Sequence, residues 1–371
     1  MRKPDKACLE DMVGHFCLRG TVVSVAPYGS GHINDTFLVT AREDGDVREY
    51  VLQRLSPVAF REPEKVMDNV SRVTAYLREG IARRGGVPER ETLTLIPVKE
   101  GRYHVYDASG ACWRMYLNIA GTKTWQLPES EDIFREAGRA FGAFQTALLD
   151  YPAGTLHETI PHFHDTPARV DALREALRRD AAGRAAGARD TVDFALARTE
   201  RAGELVDQLR TGRLPLRVTH NDTKLNNVLM DEGSGRALCV IDLDTVMPGL
   251  SAYDFGDAIR FGANTADEDE ADLDKVRFSV PMYRAYCEGY LSQAGRTLER
   301  AELASLATGA WMMTYECGCR FLTDHLDGDR YFHVAYPGHN LIRAKNQFAL
   351  LKDMEKHRDE MAGIIRELTK E

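Results

Sequence analysis

The sequence predicts an α+β protein in two lobes, a β-sheet carrying one helix followed by a larger, mainly helical part. Three observations lead there. Between Thr21 and Asn118, short runs of β-branched and aromatic residues are separated by Gly, Asp and Pro, as strands and turns require. Beyond Thr124, apolar residues recur at three- and four-residue spacing, the period of a helix with one buried face. A chain of 371 residues is long enough for two lobes with a sizeable core.

The predicted strands are TVVSVAPY (21–28), TFLVTA (36–41), EYVLQRL (49–55), TLTLIPV (92–98), RYHVYD (102–107) and CWRMYLNI (112–119). One helix interrupts them. It begins at Pro63, suited to a first turn, and places Val66, Val70, Val73 and Leu77 on one face. The lobe boundary falls near 116–124, giving lobes 1–118 and 119–371. The second lobe opens on a helix whose stripe is Ile133, Ala137, Phe141, Phe144 and Leu148. Residues 169–211, rich in Ala and Arg and broken by Gly183 and Gly187, read as exposed helices joined by a mobile loop. Further helices are expected over 274–294, 298–315 and 341–354.

A net charge of −9 with no basic block argues against nucleic acid and for a small polar ligand. The first residues lack the apolar core of a signal peptide, and no stretch reaches the roughly 18 apolar residues of a membrane span, so a cytoplasmic protein is expected. Seven scattered cysteines suggest reduced thiols rather than a disulfide framework or a zinc site.

The chemistry concentrates in HNDTKLNNVLMDEGSGRALCVIDLD, residues 220–244. Val228–Met230 and Leu238–Ile241 can pair as a β-hairpin about DEGSGR, so its two ends meet. One end carries Asp222 and Asn227, the other Asp242 and Asp244. Such hard oxygens suit Mg²⁺, which takes few protein carboxylates and fills its octahedron with water and phosphate oxygens. Asp222 is then placed beyond the metal as a base. A solvated polar hairpin predicts the same composition. Upstream, YGSGHINDTF (28–37) puts Gly29, Ser30 and Gly31 in a turn between strands, where glycine admits polyphosphate close to backbone N–H groups, although an ordinary hairpin reads alike.

The order His220, Asp222, Asn227 and then VIDLD resembles the aminoglycoside-phosphotransferase-like small-molecule kinases, which share the protein-kinase architecture with an antiparallel sheet in the first lobe. YGSGHINDTFLV, YVLQRL, TIPHFHDTPAR, NDTKLNNVLM, VIDLDTVMPG, YDFGD and RFLTDHLDGDRYF are similar more narrowly to the N-acetylhexosamine 1-kinases. The resemblance implies ATP and Mg²⁺ as cofactors and Asp222 as the base acting on a sugar hydroxyl. It implies Asn227 and Asp242 as metal ligands, with Asp244, on the same strand face, as an additional one. His220 is expected to brace the loop. DFG at 254–256 lies beyond the return strand, so Asp254 and Asp257 are expected to be structural, accepting hydrogen bonds from His220 or loop N–H groups.

The family's phosphate-pairing cation on the third strand is not matched: Gln53 stands there beside Arg54, and only one of the two can face the nucleotide. Tyr116 to Asn118 are expected to meet adenine, though a plain strand between lobes reads the same. For the sugar, Arg320, Asp324 and Tyr331 offer donors, an acceptor and an aromatic face, with His32 and Asn34 closing from the glycine turn. Arg320 could equally serve an ion pair within the fold. The acidic run 267–274 could rim a site for a cationic alcohol, as for an aminoglycoside, choline or homoserine kinase. A nucleotide-binding regulator without catalysis is the other alternative. Oligomeric state is left open.

Overall fold

The computed structural model describes residues 4–29 and 33–370. The chain divides into two compact units, neither of them one continuous stretch: residues 1–123, 156–160 and 229–246 form one, and 124–155, 161–228 and 247–371 the other. The fold is α+β, with an antiparallel sheet in the N-terminal region and a mostly helical remainder. The division leaves the predicted hairpin with the sheet-bearing unit.

In that unit, α1 (Lys6–His15) precedes strands β1 (Thr21–Pro27), β2 (Asp35–Glu43), β3 (Asp46–Arg54), β4 (His104–Tyr106) and β5 (Cys112–Leu117). Their order in the sheet is β1-β2-β3-β5-β4, so β3 and β5 are neighbours although about 60 residues separate them. Every pairing is antiparallel. One face of the sheet buries Phe37, Val39, Leu52, Trp113 and Met115, onto which α1 lays Met12 and Val13. The predicted helix is α2 (Pro63–Arg83), burying Val66, Val70, Val73 and Leu77 as its period requires.

TLTLIPV is not a regular strand. After the short α3 (Pro88–Glu91), Leu95 and Val98 make only isolated bridges, to Tyr116 and Phe16. Pro97 lacks an N–H, which breaks the ladder a continuous strand would need. Farther on, β6 (Thr122–Lys123) and the hairpin strands β8 (Val228–Asp231) and β9 (Ala237–Val240) make a second small sheet in the order β6-β8-β9.

The helical unit contains α4 (Glu131–Ala147), α5 (Thr166–Arg179), α6 (Arg189–Leu196), α7 (Glu204–Arg210), α8 (Ser251–Gly262), α9 (Val280–Ala294), α10 (Arg300–Asp327), α11 (His339–Lys356) and α12 (Arg358–Leu368). Strands β7 (Arg217–Thr219) and β10 (Met247–Gly249) pair antiparallel within it. The Ala- and Arg-rich stretch is not a set of exposed helices. Val170, Leu173, Ala176, Val192, Ala195 and Leu205 lie in one core with Tyr315, Leu322 and Phe348. Ala176 and Ala195 are buried on the inner face, while the arginines of the stretch stay exposed or half-buried. Among the described residues no helix is long and apolar enough to cross a membrane.

Helices α8 and α10 cross at glycine. A Cβ on Gly256 would collide with the Gly309 backbone carbonyl, and one on Gly309 with the carbonyl of Ala252. Gly256→Ala is therefore expected to destabilise the protein by about 1–3 kcal/mol through overpacking against backbone that cannot yield. Thermal or urea unfolding will check it, and an unchanged midpoint would contradict this account of the crossing. The crossing matters because the first turns of α8 carry Asp254 and Asp257.

Candidate active site

The loop after β7 is shaped by α8. Both oxygens of the buried Asp254 carboxylate accept backbone N–H groups, from His220 and Asn221, each at 2.8 Å. The Thr223 hydroxyl donates to the Asp254 carbonyl at 2.6 Å, and its N–H donates to Asp257 at 3.0 Å. These bonds hold Asn221 in the left-handed conformation (φ 64°), which Asn tolerates better than most residues. The expectation that Asp254 and Asp257 serve the loop is met. Burial pushes the Asp254 carboxyl up to about 6 against the opposing pull of His220 and the two N–H groups. Asp257 is also buried, but Arg260 and Lys224 hold it below the usual carboxylate range.

His220 braces the loop from beneath. Fully buried, its ring meets Phe141 and Phe144 edge-on at 5.5 and 5.9 Å, and its Nδ1 accepts the Asp222 N–H at 3.3 Å. Asp222 itself is only partly buried, one oxygen 3.1 Å from Lys224 Nζ. Asn227 donates through Nδ2 to the Asp222 carbonyl at 2.8 Å and to its carboxylate at 3.3 Å, which leaves the carboxamide oxygen as the group suited to a hard cation. Lys224 was missed in the sequence, where its only signal is a lysine two positions after the acidic residue. Its ammonium is held protonated mainly by Asp222.

Also in the helical unit, the Arg320 guanidinium lies over the rings of Phe163, Phe332 and Tyr331, at 5.0, 5.5 and 5.9 Å. Tyr331 is largely exposed. Asp324 spends its oxygens on the backbone N–H groups of Arg330, Tyr331 and Phe332 and on Asn340 Nδ2, so its carboxylate shapes the loop that presents Tyr331.

In the sheet-bearing unit, Asp242 follows β9 in a left-handed conformation (φ 59°). Asp244 is buried and ion-paired with Arg114, whose guanidinium is 1% exposed. The other Asp244 oxygen accepts Asn34 Nδ2 at 2.8 Å. Gln53 lies opposite Arg114 in the β3–β5 ladder, and its Oε1 receives Arg114 Nε and Nη2 at 3.0 and 2.8 Å. Arg54 points to the other face, where it pairs with Asp35 and lies 5.7 Å from the Trp113 ring. Arg114 was not anticipated, because its partners become neighbours only through the strand order.

The Leu117 and Asn118 N–H groups donate to the carbonyls of Thr94 and Glu49, and Asn118 Nδ2 donates to Glu49 at 2.9 Å. The Tyr116 hydroxyl is buried without a partner among the described residues, its ring 5.0 Å from the Arg114 guanidinium. Gly29 has a positive φ of 74°, as a turn glycine can. Ser30, Gly31 and His32 lie outside the described residues.

Residues 24–299 match the model of the phosphotransferase enzyme family, well over half of the chain. The chain belongs to that family. As a phosphotransferase it is similar in fold to a microcompartment-associated aminopropanol kinase, at 18% identity and a TM-score of 0.55, covering 96% of this chain and 99% of the other. Choline kinase from Cryptosporidium parvum is similar at 14% identity and a TM-score of 0.56, covering 92% and 91%. A spectinomycin phosphotransferase solved with ADP and spectinomycin is similar at 11% identity and a TM-score of 0.51, covering 97% and 100%. At these identities the likeness shows the fold of the phosphotransferase and leaves its acceptor to be argued from its own residues.

Proposed function

We propose that this phosphotransferase is an ATP- and Mg²⁺-dependent kinase that phosphorylates the anomeric hydroxyl of N-acetylglucosamine or N-acetylgalactosamine. The observation that carries the kinase chemistry is the loop in which Asp222 is presented partly exposed, with Asn227, Lys224 and His220 fixing its position. In this reading Asp222 accepts or orients the acceptor hydroxyl's proton as the hydroxyl oxygen bonds to the γ-phosphorus of ATP, the bond to the β–γ bridging oxygen breaks and ADP leaves. The ammonium of Lys224, 3.1 Å from one carboxylate oxygen, limits its rotation. Phosphoryl transfer asks mainly for positioning and neutralised charge, and such a loop supplies positioning.

Asn227 and Asp242 would hold Mg²⁺. A carboxamide oxygen and a carboxylate are suitable donors for it. The ion would neutralise charge on the polyphosphate. Both Asp244 oxygens are engaged by Arg114 and Asn34, so its role in this reading is to anchor its segment. ADP bound to the fold-similar spectinomycin phosphotransferase supports a nucleotide donor here.

For the acceptor, the sequence resemblance favours N-acetylhexosamines, and Arg320 adds a physical argument. A choline-type substrate needs open aromatic faces around its cation. Here the faces of Phe163, Phe332 and Tyr331 already hold the protein's own guanidinium, which repels another cation and can donate to a hydroxyl or acetamide oxygen. The Asp324 loop would keep Tyr331 in place beside it.

The test is ³¹P NMR of protein incubated with ATP, Mg²⁺ and each N-acetylhexosamine, with glucose, choline and kanamycin as controls. A proton-coupled doublet from an anomeric phosphate is expected with the N-acetylhexosamines alone. Transfer to choline or kanamycin instead would replace the acceptor assignment and keep the kinase.

A further inference from the structure

We propose that Arg114 on β5 is a positioning residue for the metal-bound nucleotide. It acts through Asp244 and Asn34. The inference rests on the kinase reading and concerns how its nucleotide half is held.

A guanidinium 1% exposed must be compensated where it lies, since a buried charge left unpaired is strongly destabilising. Arg114 is compensated on two sides. Gln53 receives Nε and Nη2 on a single oxygen, and Gln53 is itself fixed because its Nε2 donates to Thr36 Oγ1 at 3.2 Å. Asp244 supplies the opposite charge. The strand ladder thus holds the cation rigidly, and the cation holds Asp244.

From Asp244 the connections run outward. Its second oxygen accepts Asn34 Nδ2, and Asn34 Oδ1 accepts the Ser56 N–H at 3.0 Å. Asn34 immediately precedes β2, five residues beyond Gly29, and Ser56 lies just past β3. Asp244 belongs to a single turn, Leu243–Thr245, directly after Asp242. One guanidinium therefore fixes the turn that directly follows the proposed ligand Asp242, the start of β2 and the end of β3. Asp242 is left-handed, a conformation that a non-glycine residue keeps only when its surroundings hold it. Arg54, the more obvious cation in the sequence, is committed to Asp35 on the opposite face.

The test is a double-mutant cycle read by Mg²⁺-dependent binding of a fluorescent ADP, with acceptor KM and kcat measured in parallel. Arg114→Met and Asp244→Asn are each expected to raise the half-saturating Mg²⁺ concentration roughly tenfold, the scale of coupling between contacting residues. The double variant should be no worse than the poorer single one, because both act through one connection. Arg114→Lys should recover part of the loss, and acceptor KM should stay within about twofold, a split that loose folding does not produce.

Multiplicative losses, or an Arg114→Met enzyme with wild-type Mg²⁺ dependence, would overturn the inference. Should Arg114→Met fail to fold, Gln53→Leu decides: it keeps the ion pair but removes the oxygen that aims it. A several-fold rise in half-saturating Mg²⁺ supports the inference and no change refutes it. Wild-type protein that binds the nucleotide yet phosphorylates no N-acetylhexosamine would refute only the acceptor assignment. Wild-type protein without Mg²⁺-dependent ADP binding would overturn both readings.

Discussion

Asp222→Asn is expected to lower phosphoryl transfer by about 10²- to 10⁴-fold, the range for losing a general base, while ATP binding changes little. Asparagine preserves the shape and keeps an oxygen to accept the 3.3 Å bond from Asn227 Nδ2, and the other bonds that set the loop involve its backbone: Asn227 Nδ2 reaches the Asp222 carbonyl and the Asp222 N–H reaches His220. What changes is the ability to accept a proton and the counter-charge to Lys224, whose ammonium is held protonated chiefly by Asp222. The effect should fall on kcat more than on acceptor KM, since the lost interaction belongs to the transition state. Steady-state kinetics with a parallel nucleotide titration separates the two. Near-normal turnover in the variant would remove Asp222 from the chemistry. A wild-type protein that binds nucleotide but turns over no alcohol would favour a regulator that has lost catalysis.

What the sequence revealed and what it hid divide along a physical line. The hairpin, α2 and the α4 stripe were readable because period and turn chemistry are local. The loop around Asp222 was readable too, since its residues lie within a few positions of one another, and the DFG aspartate lies on α8, where it accepts loop N–H groups as expected. Arg114 was hidden because Gln53 and Arg114 face each other only when β5 inserts beside β3, and nothing local to either residue encodes that order. TLTLIPV misled through composition alone: its β-branched residues fit a strand, while Pro97 and the preceding short helix leave only bridges. The Ala- and Arg-rich stretch misled in the opposite sense, because small residues give a weak hydrophobic signal even when they are buried in a shared core. Asp324 looked like a sugar acceptor because a chain of letters does not show that three backbone N–H groups already surround it.

An acid limb near pH 6 in turnover, without a matching loss of fold stability from the same group, is the expected signature of Asp254. Burial raises its carboxyl to about 6 in the folded protein, above the ordinary 3.8 of an exposed aspartate. Between those values the folded state binds a proton that the unfolded state does not, so Asp254 by itself makes the fold more stable as pH falls through 6 towards 4. The shift corresponds to about 3 kcal/mol. Activity should run the other way. The ionised carboxylate accepts from the His220 and Asn221 N–H groups together, whereas the protonated acid turns one of those oxygens into a donor facing an N–H. The loop then loses one of the two bonds that keep Asn221 left-handed, and Asp222 shifts with it. A displacement approaching 1 Å at the reacting group costs about 10²-fold in rate. Asp254→Asn should mimic the protonated state at every pH, with turnover reduced by about 10- to 100-fold and the limb near 6 absent. Measuring kcat from pH 5 to 8 alongside thermal unfolding over the same range checks both halves, and an acid limb that survives in Asp254→Asn would assign it to another group.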